Sequence, residues 1–207
     1  MRRGKFITLE GGEGAGKSTQ AGLLVGALQR AGIVVEQTRE PGGTPFAEAL
    51  RSILVGAAAE GVDPTAEALA HYAARADHLA ARIEPALAAG RWVVCDRFAD
   101  STLAYQGIAG HLGRSRVAAI RDAAIGGFQP DLTLILDIPT ELGLARARDA
   151  NRYEMQSEDF HNAVRGAFLS IARSEPDRCV VFDASADIPT VAMQIAVVVK
   201  DRFGIAL

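Results

Sequence analysis

Cysteine is scarce in the 207 residues: only Cys95 and Cys179 occur, each in an apolar run beside valines. That setting suits buried free thiols better than a disulfide, and a reducing cytoplasmic compartment fits. No pair of cysteines and histidines has the spacing of a zinc site. No apolar run approaches the length of a membrane-spanning helix. The stretch behind Met1-Arg2-Arg3 runs only from Phe6 to Leu9 before Glu10 interrupts it, too short for a signal peptide. The expectation is a cytoplasmic protein without membrane contact. An excess of one charge is also missing. The formal net charge of −3 implies no general surface for nucleic acid or anionic lipid. Repeats, low-complexity tracts and linkers are absent as well. What remains, 49% hydrophobic and 23% charged, is the balance of one soluble domain over 1–207.

Five short β-type runs, at 6–10, 33–38, 92–96, 132–137 and 179–183, alternate with helical stretches. The latter include 18–31, 65–89, 116–126 and 158–174. Trp92-Val93-Val94-Cys95 is apolar without alternation, as in strands covered on both faces. The pattern predicts an α/β fold: a doubly wound, five-stranded parallel sheet with helices on both faces. Ligands of such sheets bind beyond the carboxyl ends of the strands. Glu10, Arg39, Asp96, Arg97, Asp137 and Asp183 fall at those ends. Each alone suits a solvated strand terminus; together they outline a site.

The sharpest signal is Gly11-Gly12-Glu13-Gly14-Ala15-Gly16-Lys17-Ser18, a full match to the phosphate-binding loop G-x-x-x-x-G-K-[ST]. It follows a predicted strand and opens a predicted helix, as the motif requires. Its glycines let successive backbone N–H groups face a nucleotide phosphate. Lys17 is expected at the β- and γ-phosphates, the Ser18 hydroxyl on Mg²⁺, and Thr19 beside them on the donor ATP. The helix turns its positive end toward the same anion.

Such a loop serves both nucleotide switches and kinases. A switch GTPase needs an N-K-x-D guanine reader, which is missing, and the D-x-x-G match at Asp201–Gly204 lies too far along the chain to serve. A kinase needs a second anion site, and Arg39, Arg51, Arg75 and Arg97 supply the charge for one. Scattered arginines are usually solvated, so their contexts decide.

Those contexts resemble thymidylate kinase, in its bacterial form, from Lys5 to about Asp187. The resemblance rests on Gly11–Ser18, Thr38-Arg39-Glu40-Pro41-Gly42-Gly43-Thr44, Tyr72-Ala73-Ala74-Arg75, and Asp96-Arg97 followed by Ser101-Thr102-Leu103-Ala104-Tyr105-Gln106-Gly107. It implies a P-loop kinase that phosphorylates dTMP with ATP and Mg²⁺. Another nucleoside-monophosphate kinase and a non-catalytic switch remain the alternatives.

By resemblance, Arg51 and Arg97 hold the dTMP phosphate, for which guanidinium forks are suited. Arg75 donates to a thymine carbonyl and Thr102 meets the base N3, with Ser101 and Gln106 in the same motif. Tyr105 packs where a 2′-hydroxyl would sit, Glu13 accepts from the 3′-hydroxyl, and Asp96 orders the water shell of the metal. The Glu40-Pro41 peptide is expected to be cis. At the base the chain departs from the family, which usually has Phe four residues before Arg75; here His71 stands there, on the same helix face.

A lid over about 145–156 is implied too, where Asn151-Arg152-Tyr153-Glu154 replaces the frequent D-R-F-E. Arg146 is expected near the adenine with the loop 184–187, and Arg148 and Arg152, with Arg152 favoured, at the transferring phosphoryl group. The residue after the loop acid is Gly14, which offers no side chain for that purpose. The relatives are homodimers packed through helices, and the helix predicted over 65–89 suits such an interface or an interior position equally. The acceptor phosphate, with a second pKa near 6, needs no general base. Catalysis is then alignment and charge neutralisation.

Overall fold

The computed structural model describes residues 3–147 and 152–206. Strands β1 (Phe6–Gly11), β2 (Val35–Arg39), β3 (Trp92–Asp96), β4 (Leu132–Asp137) and β5 (Cys179–Asp183) form one sheet in the order β2-β3-β1-β4-β5. All four pairings are parallel. The helices are α1 (Lys17–Arg30), α2 (Pro45–Val55), α3 (Pro64–His78), α4 (Glu84–Ala88), α5 (Ala99–Thr102), α6 (Arg114–Ile125), α7 (Thr140–Arg146), α8 (Glu158–Ser174) and α9 (Ile188–Phe203). π-helical segments at Leu79–Ile83 and Leu103–Ala109 join α3 to α4 and extend α5. No helix among the described residues is long and apolar enough to cross a membrane.

Successive strand residues point to opposite faces, so β1 divides the core. Ile7 and Leu9 join Val94, Leu134 and Leu136 against Leu24 and Leu28 of α1 and Val191 and Ile195 of α9. Phe6 goes the other way, with Val93 and Cys95, to meet Leu79, Ile83 and Leu87. Beside it Ile135 and Cys179 pack on Val164, Phe168 and Ile171 of α8. Both thiols are free and buried, as expected. Burial pushes that of Cys179 up to about 12 and that of Cys95 well above its usual value.

Most predicted ends lie within one or two residues of the observed ones, and two differences have a local cause. The second strand starts at Val35, not residue 33, because Gly32 (φ 77) closes α1 and the Ile33 N–H donates back to the Leu28 carbonyl at 3.0 Å. That is a Schellman-type cap, which claims Ile33 for the helix end. The helix predicted over 65–89 is real but interrupted by the wider turn at Leu79–Ile83. Pro85 lies one turn beyond and cannot donate to the Ala81 carbonyl, so the ladder opens just upstream. The register sets Arg39 beside Asp96 and Asp96 beside Leu9. The carboxyl ends of β2, β3 and β1 are therefore level, and their next residues share one edge.

Candidate active site

The loop after β1 folds back on itself through left-handed glycines, with φ 66 at Gly14 and 85 at Gly16. Gly16 caps α1 without a side chain, so the first N–H groups of α1 stay open to an anion. Lys17 is buried, and its Nζ donates to the Gly12 carbonyl at 2.6 Å. Burial, then the charge of Arg97, pushes it down to about 8. The Ser18 hydroxyl donates to Asp96 at the end of β3, which brings the two expected metal-site residues into contact. Thr19 is exposed on the same first turn, and Ala15 lies in the core.

The lack of a side chain at Gly14 has a steric reason. A Cβ there would lie 1.8 Å from the carbonyl oxygen of Gly143, and one at Gly143 would lie 2.6 Å from that of Glu13. Helix α7 thus packs backbone to backbone on the loop.

Glu13 is the charged centre beside the loop. It accepts from Arg97 Nη2 and from the Tyr105 hydroxyl, both at 2.8 Å. Burial alone would raise its carboxyl, but Arg97 and Lys17 hold it at about 2. Arg97 also donates from Nη1 to the Gly11 carbonyl and to Ser101 Oγ. Its backbone is in the left-handed region, φ 70, an uncommon state for a non-glycine residue. Burial would lower the guanidinium, but Glu13 raises it above its ordinary value.

Behind this pair stands Glu10, whose functional placement the sequence did not disclose. It points to the same face as Phe6 and is fully buried. It accepts from the Phe98 N–H at 2.8 Å and the Ser101 hydroxyl at 2.6 Å. Burial, then Asp100, pushes it up to about 8.

On the other side of Arg97, Arg75 from α3 is 2% exposed. It donates to Glu40 at 2.7 Å, Thr102 Oγ at 3.1 Å and the Phe98 carbonyl at 3.0 Å. Glu40 also contacts His78 Nδ1 at 3.0 Å, and the Glu40-Pro41 peptide is cis. Arg51 on α2 donates to the Pro41 carbonyl at 3.0 Å. It sits below its ordinary range because of burial, then the charges of Arg39 and, further down, Arg97.

His71, one turn before Arg75, is buried. Burial, then Arg75 and Arg152, pushes it down to about 3, so its ring is neutral. Its Nε2 is 2.9 Å from the Tyr153 hydroxyl. Two of the positions that depart from the family pattern, His71 and Tyr153, therefore touch each other.

The lid residues divide. Arg146 donates to the carbonyls of Ala184 at 2.8 Å and Ser185 at 3.3 Å, joining the segments expected around the adenine. Arg148 lies outside the described residues. Arg152, expected at the phosphates, instead donates to the Ala59 carbonyl at 3.0 Å and pairs with Glu67 at 2.9 Å. Breaking this pair would leave the largely buried Glu67 carboxylate on α3 without its cation.

The strand-end residues sort as well. Arg39 pairs with Glu48 at the surface. Asp137 is held by both arms of Arg165 at 2.7 and 2.9 Å. Asp183 caps Ser185. The Glu10, Asp96 and Arg97 ends converge on the loop, and Asp137 borders it in a cavity shared with Gly11, Gly12 and Glu13.

A five-stranded parallel sheet in this order, a phosphate-binding loop at the end of β1 and the arginines Arg97, Arg75 and Arg51 on the elements beside it define a P-loop kinase. Residues 9–195 match the sequence profile of the Thymidylate kinase family. Thymidylate kinase of Caulobacter vibrioides is 51% identical over 99% of this chain and 100% of its own. That of Rhodopseudomonas palustris is 51% identical over 97% and 90%. The crystal structure of thymidylate kinase from Ehrlichia chaffeensis superposes with a TM-score of 0.79 at 35% identity, covering 96% and 99% of the two chains. The chain belongs to the thymidylate kinase family.

Proposed function

We propose that the chain transfers the γ-phosphoryl group of ATP to dTMP, giving dTDP and ADP, as a cytoplasmic enzyme. Family membership supports the reaction. The observation that carries the site is the pair Arg51 and Arg97. Arg97 follows β3 and donates to Gly11 and Glu13 of the loop, while Arg51 on α2 donates to the Pro41 carbonyl just beyond the level end of β2. Like charges gathered and partly buried in this way suit a dianionic phosphate monoester.

In this reading Lys17, the loop amides and Arg146 hold ATP. Arg51 and Arg97 hold the acceptor phosphate, and His71, Arg75, Thr102, Gln106 and Tyr105 line its nucleoside, with Ser101 orienting Arg97. An ionised oxygen of the acceptor phosphate attacks γ-phosphorus in line while the bond to the β-phosphate oxygen breaks. Lys17 and Arg97 offset the charge that gathers between the two nucleotides. Arg152 is engaged by Glu67, which leaves Arg148 as the lid candidate for the moving group.

Ser18 and Asp96 are two hard oxygen donors in contact at the mouth of the loop. That set fits Mg²⁺, which takes most of its ligands from water and phosphate. No cluster of three or more His, Cys, Asp or Glu among the described residues could hold a metal by itself. When bound, the ion neutralises phosphate oxygens.

A homodimer is part of the proposal. Phe46 and Ile53, seven apart on α2, and Leu69 on α3 are each about half exposed, an apolar set that a partner copy would cover. A coupled ADP-release assay across nucleoside monophosphates tests the whole reading. Turnover is expected with dTMP and not with AMP, GMP or CMP. Turnover with one of those alone would move the chain to a sister activity, and none with any acceptor would restore a nucleotide switch.

A further inference from the structure

Arg152 and Tyr153 belong by sequence to the segment expected over the donor nucleotide, yet the contacts described above run to the acceptor side. Glu67 is the hub. It is 9% exposed, and its Oε1 accepts from Gln106 Nε2 at 2.6 Å and the Tyr153 hydroxyl at 2.8 Å. The same oxygen lies 2.9 Å from Arg152 Nη2.

The Tyr153 hydroxyl has one proton, which goes to the Glu67 carboxylate. His71 Nε2 and Gln106 Nε2, at 2.9 and 3.3 Å, must therefore donate to the phenol oxygen. The guanidinium of Arg152 also lies over the Tyr153 ring, 4.6 Å from its centroid. That ring meets Tyr105 edge-on at 5.6 Å, and Tyr105 reaches Glu13 of the loop. A carboxylate is kept at such depth only when its charge and lone pairs are used. Here they are used to hold one segment of chain against another.

We propose that Glu67 is a positioning residue of the acceptor site. It fixes Arg152 and Tyr153 against His71 and Gln106, so that this segment forms one wall of the pocket for the acceptor's base. The proposal rests on the acceptor-site reading given above. Freeing the wall lowers the fraction of molecules ready for dTMP and raises its apparent dissociation constant by that factor. ATP, on the other side of Glu13, is untouched.

The experiment is steady-state kinetics on the full chain, with each substrate varied in turn. Tyr153→Phe should raise KM for dTMP roughly ten- to a hundred-fold, the worth of about one hydrogen bond to a charged group. KM for ATP and kcat should hold within about twofold. Glu67→Gln keeps an oxygen for Tyr153 and should fall between wild type and Glu67→Ala. The double variant Glu67→Ala/Tyr153→Phe should be little worse than Glu67→Ala alone, because the hydroxyl has already lost its acceptor. If Glu67→Ala does not fold, Tyr153→Phe and Glu67→Gln decide the matter.

Additive losses, a rise in KM for ATP instead, or an unchanged or lower KM for dTMP in Tyr153→Phe would each overturn the proposal. Arg51→Ala tells the two failures apart. If the acceptor site itself is misassigned, that variant also leaves KM for dTMP unchanged. If only the positioning role fails, Arg51→Ala raises it while Tyr153→Phe does not.

Discussion

His71 shows how far residue chemistry follows from neighbours and not from type. A histidine in water titrates near 6.5, whereas burial and the cations Arg75 and Arg152 push this one down to about 3. Below pH 6.5 the unfolded chain takes up a proton that the folded chain refuses. Stability present above 6.5 is therefore lost as pH falls toward 3. The loss amounts to about 2 kcal/mol by pH 5, at 1.36 kcal/mol per pH unit. His71→Phe should accordingly lose less of its melting temperature between pH 7 and pH 5 than wild type does. The imidazole C–H resonance of His71 should stay flat from pH 8 to 5 in an NMR titration; a midpoint near 6 would show that the ring meets water. The sequence disclosed the position, four residues before Arg75, because helical spacing is readable. It did not disclose the state of the ring, which depends on burial and on Arg152, a cation far along the chain.

Elements were legible where one local rule decides them, and less so where two elements compete for space. The range 158–174 was predicted to the residue: Ser157 caps it, accepting from the Phe160 N–H at 3.2 Å, and Glu158 and Asp159 fill its first turn. Gly14 could be read as a loop glycine and as a missing arginine, but its physical reason lies in α7. The Gly143 carbonyl occupies the place of any side chain at position 14. Gly14→Ala must then displace α7 as well as force alanine to a φ of 66. The backbone effect alone exceeds about 1 kcal/mol, or roughly 2–4 °C in Tm for a domain of this size. The variant should melt at least that much lower and show a raised KM for ATP with KM for dTMP nearly unchanged. An unchanged Tm would mean that α7 yields freely and the contact is incidental.

At the scale of the molecule, the level strand ends bring the two half-sites of the proposed reading to one edge of the sheet. The donor half is built from the loop, α1, Arg146 and the 184–185 carbonyls. The acceptor half comes from α2, α3 and the π segment Leu103–Ala109. The donor half is contiguous in sequence at its core, which is why a single octet announced it. The acceptor half draws Arg51, His71, Arg75, Arg97 and Tyr105 from separate elements. It could be gathered only through the resemblance of whole motifs; Glu10 was legible only as a strand end, and Glu67, outside the quoted strings, went unseen. This division predicts separable ligand stabilisation. At about 100 times its dissociation constant a ligand adds about 2.7 kcal/mol, which is roughly 5–11 °C in Tm for a domain of this size. Arg51 donates to one backbone carbonyl, that of Pro41, so Arg51→Ala should cost the empty protein little. It removes a charge-assisted bond to phosphate worth roughly 1.5–3 kcal/mol, or about 10- to 100-fold in dTMP affinity. At the same dTMP concentration, thermal-shift measurements should show about half or more of the dTMP-induced rise lost in Arg51→Ala. The ATP-induced rise should persist within about 1 °C, a small part of the shift expected from saturation. Equal loss of both would mean that Arg51 serves the shared fold of the edge, and the division into two half-sites would have to be redrawn.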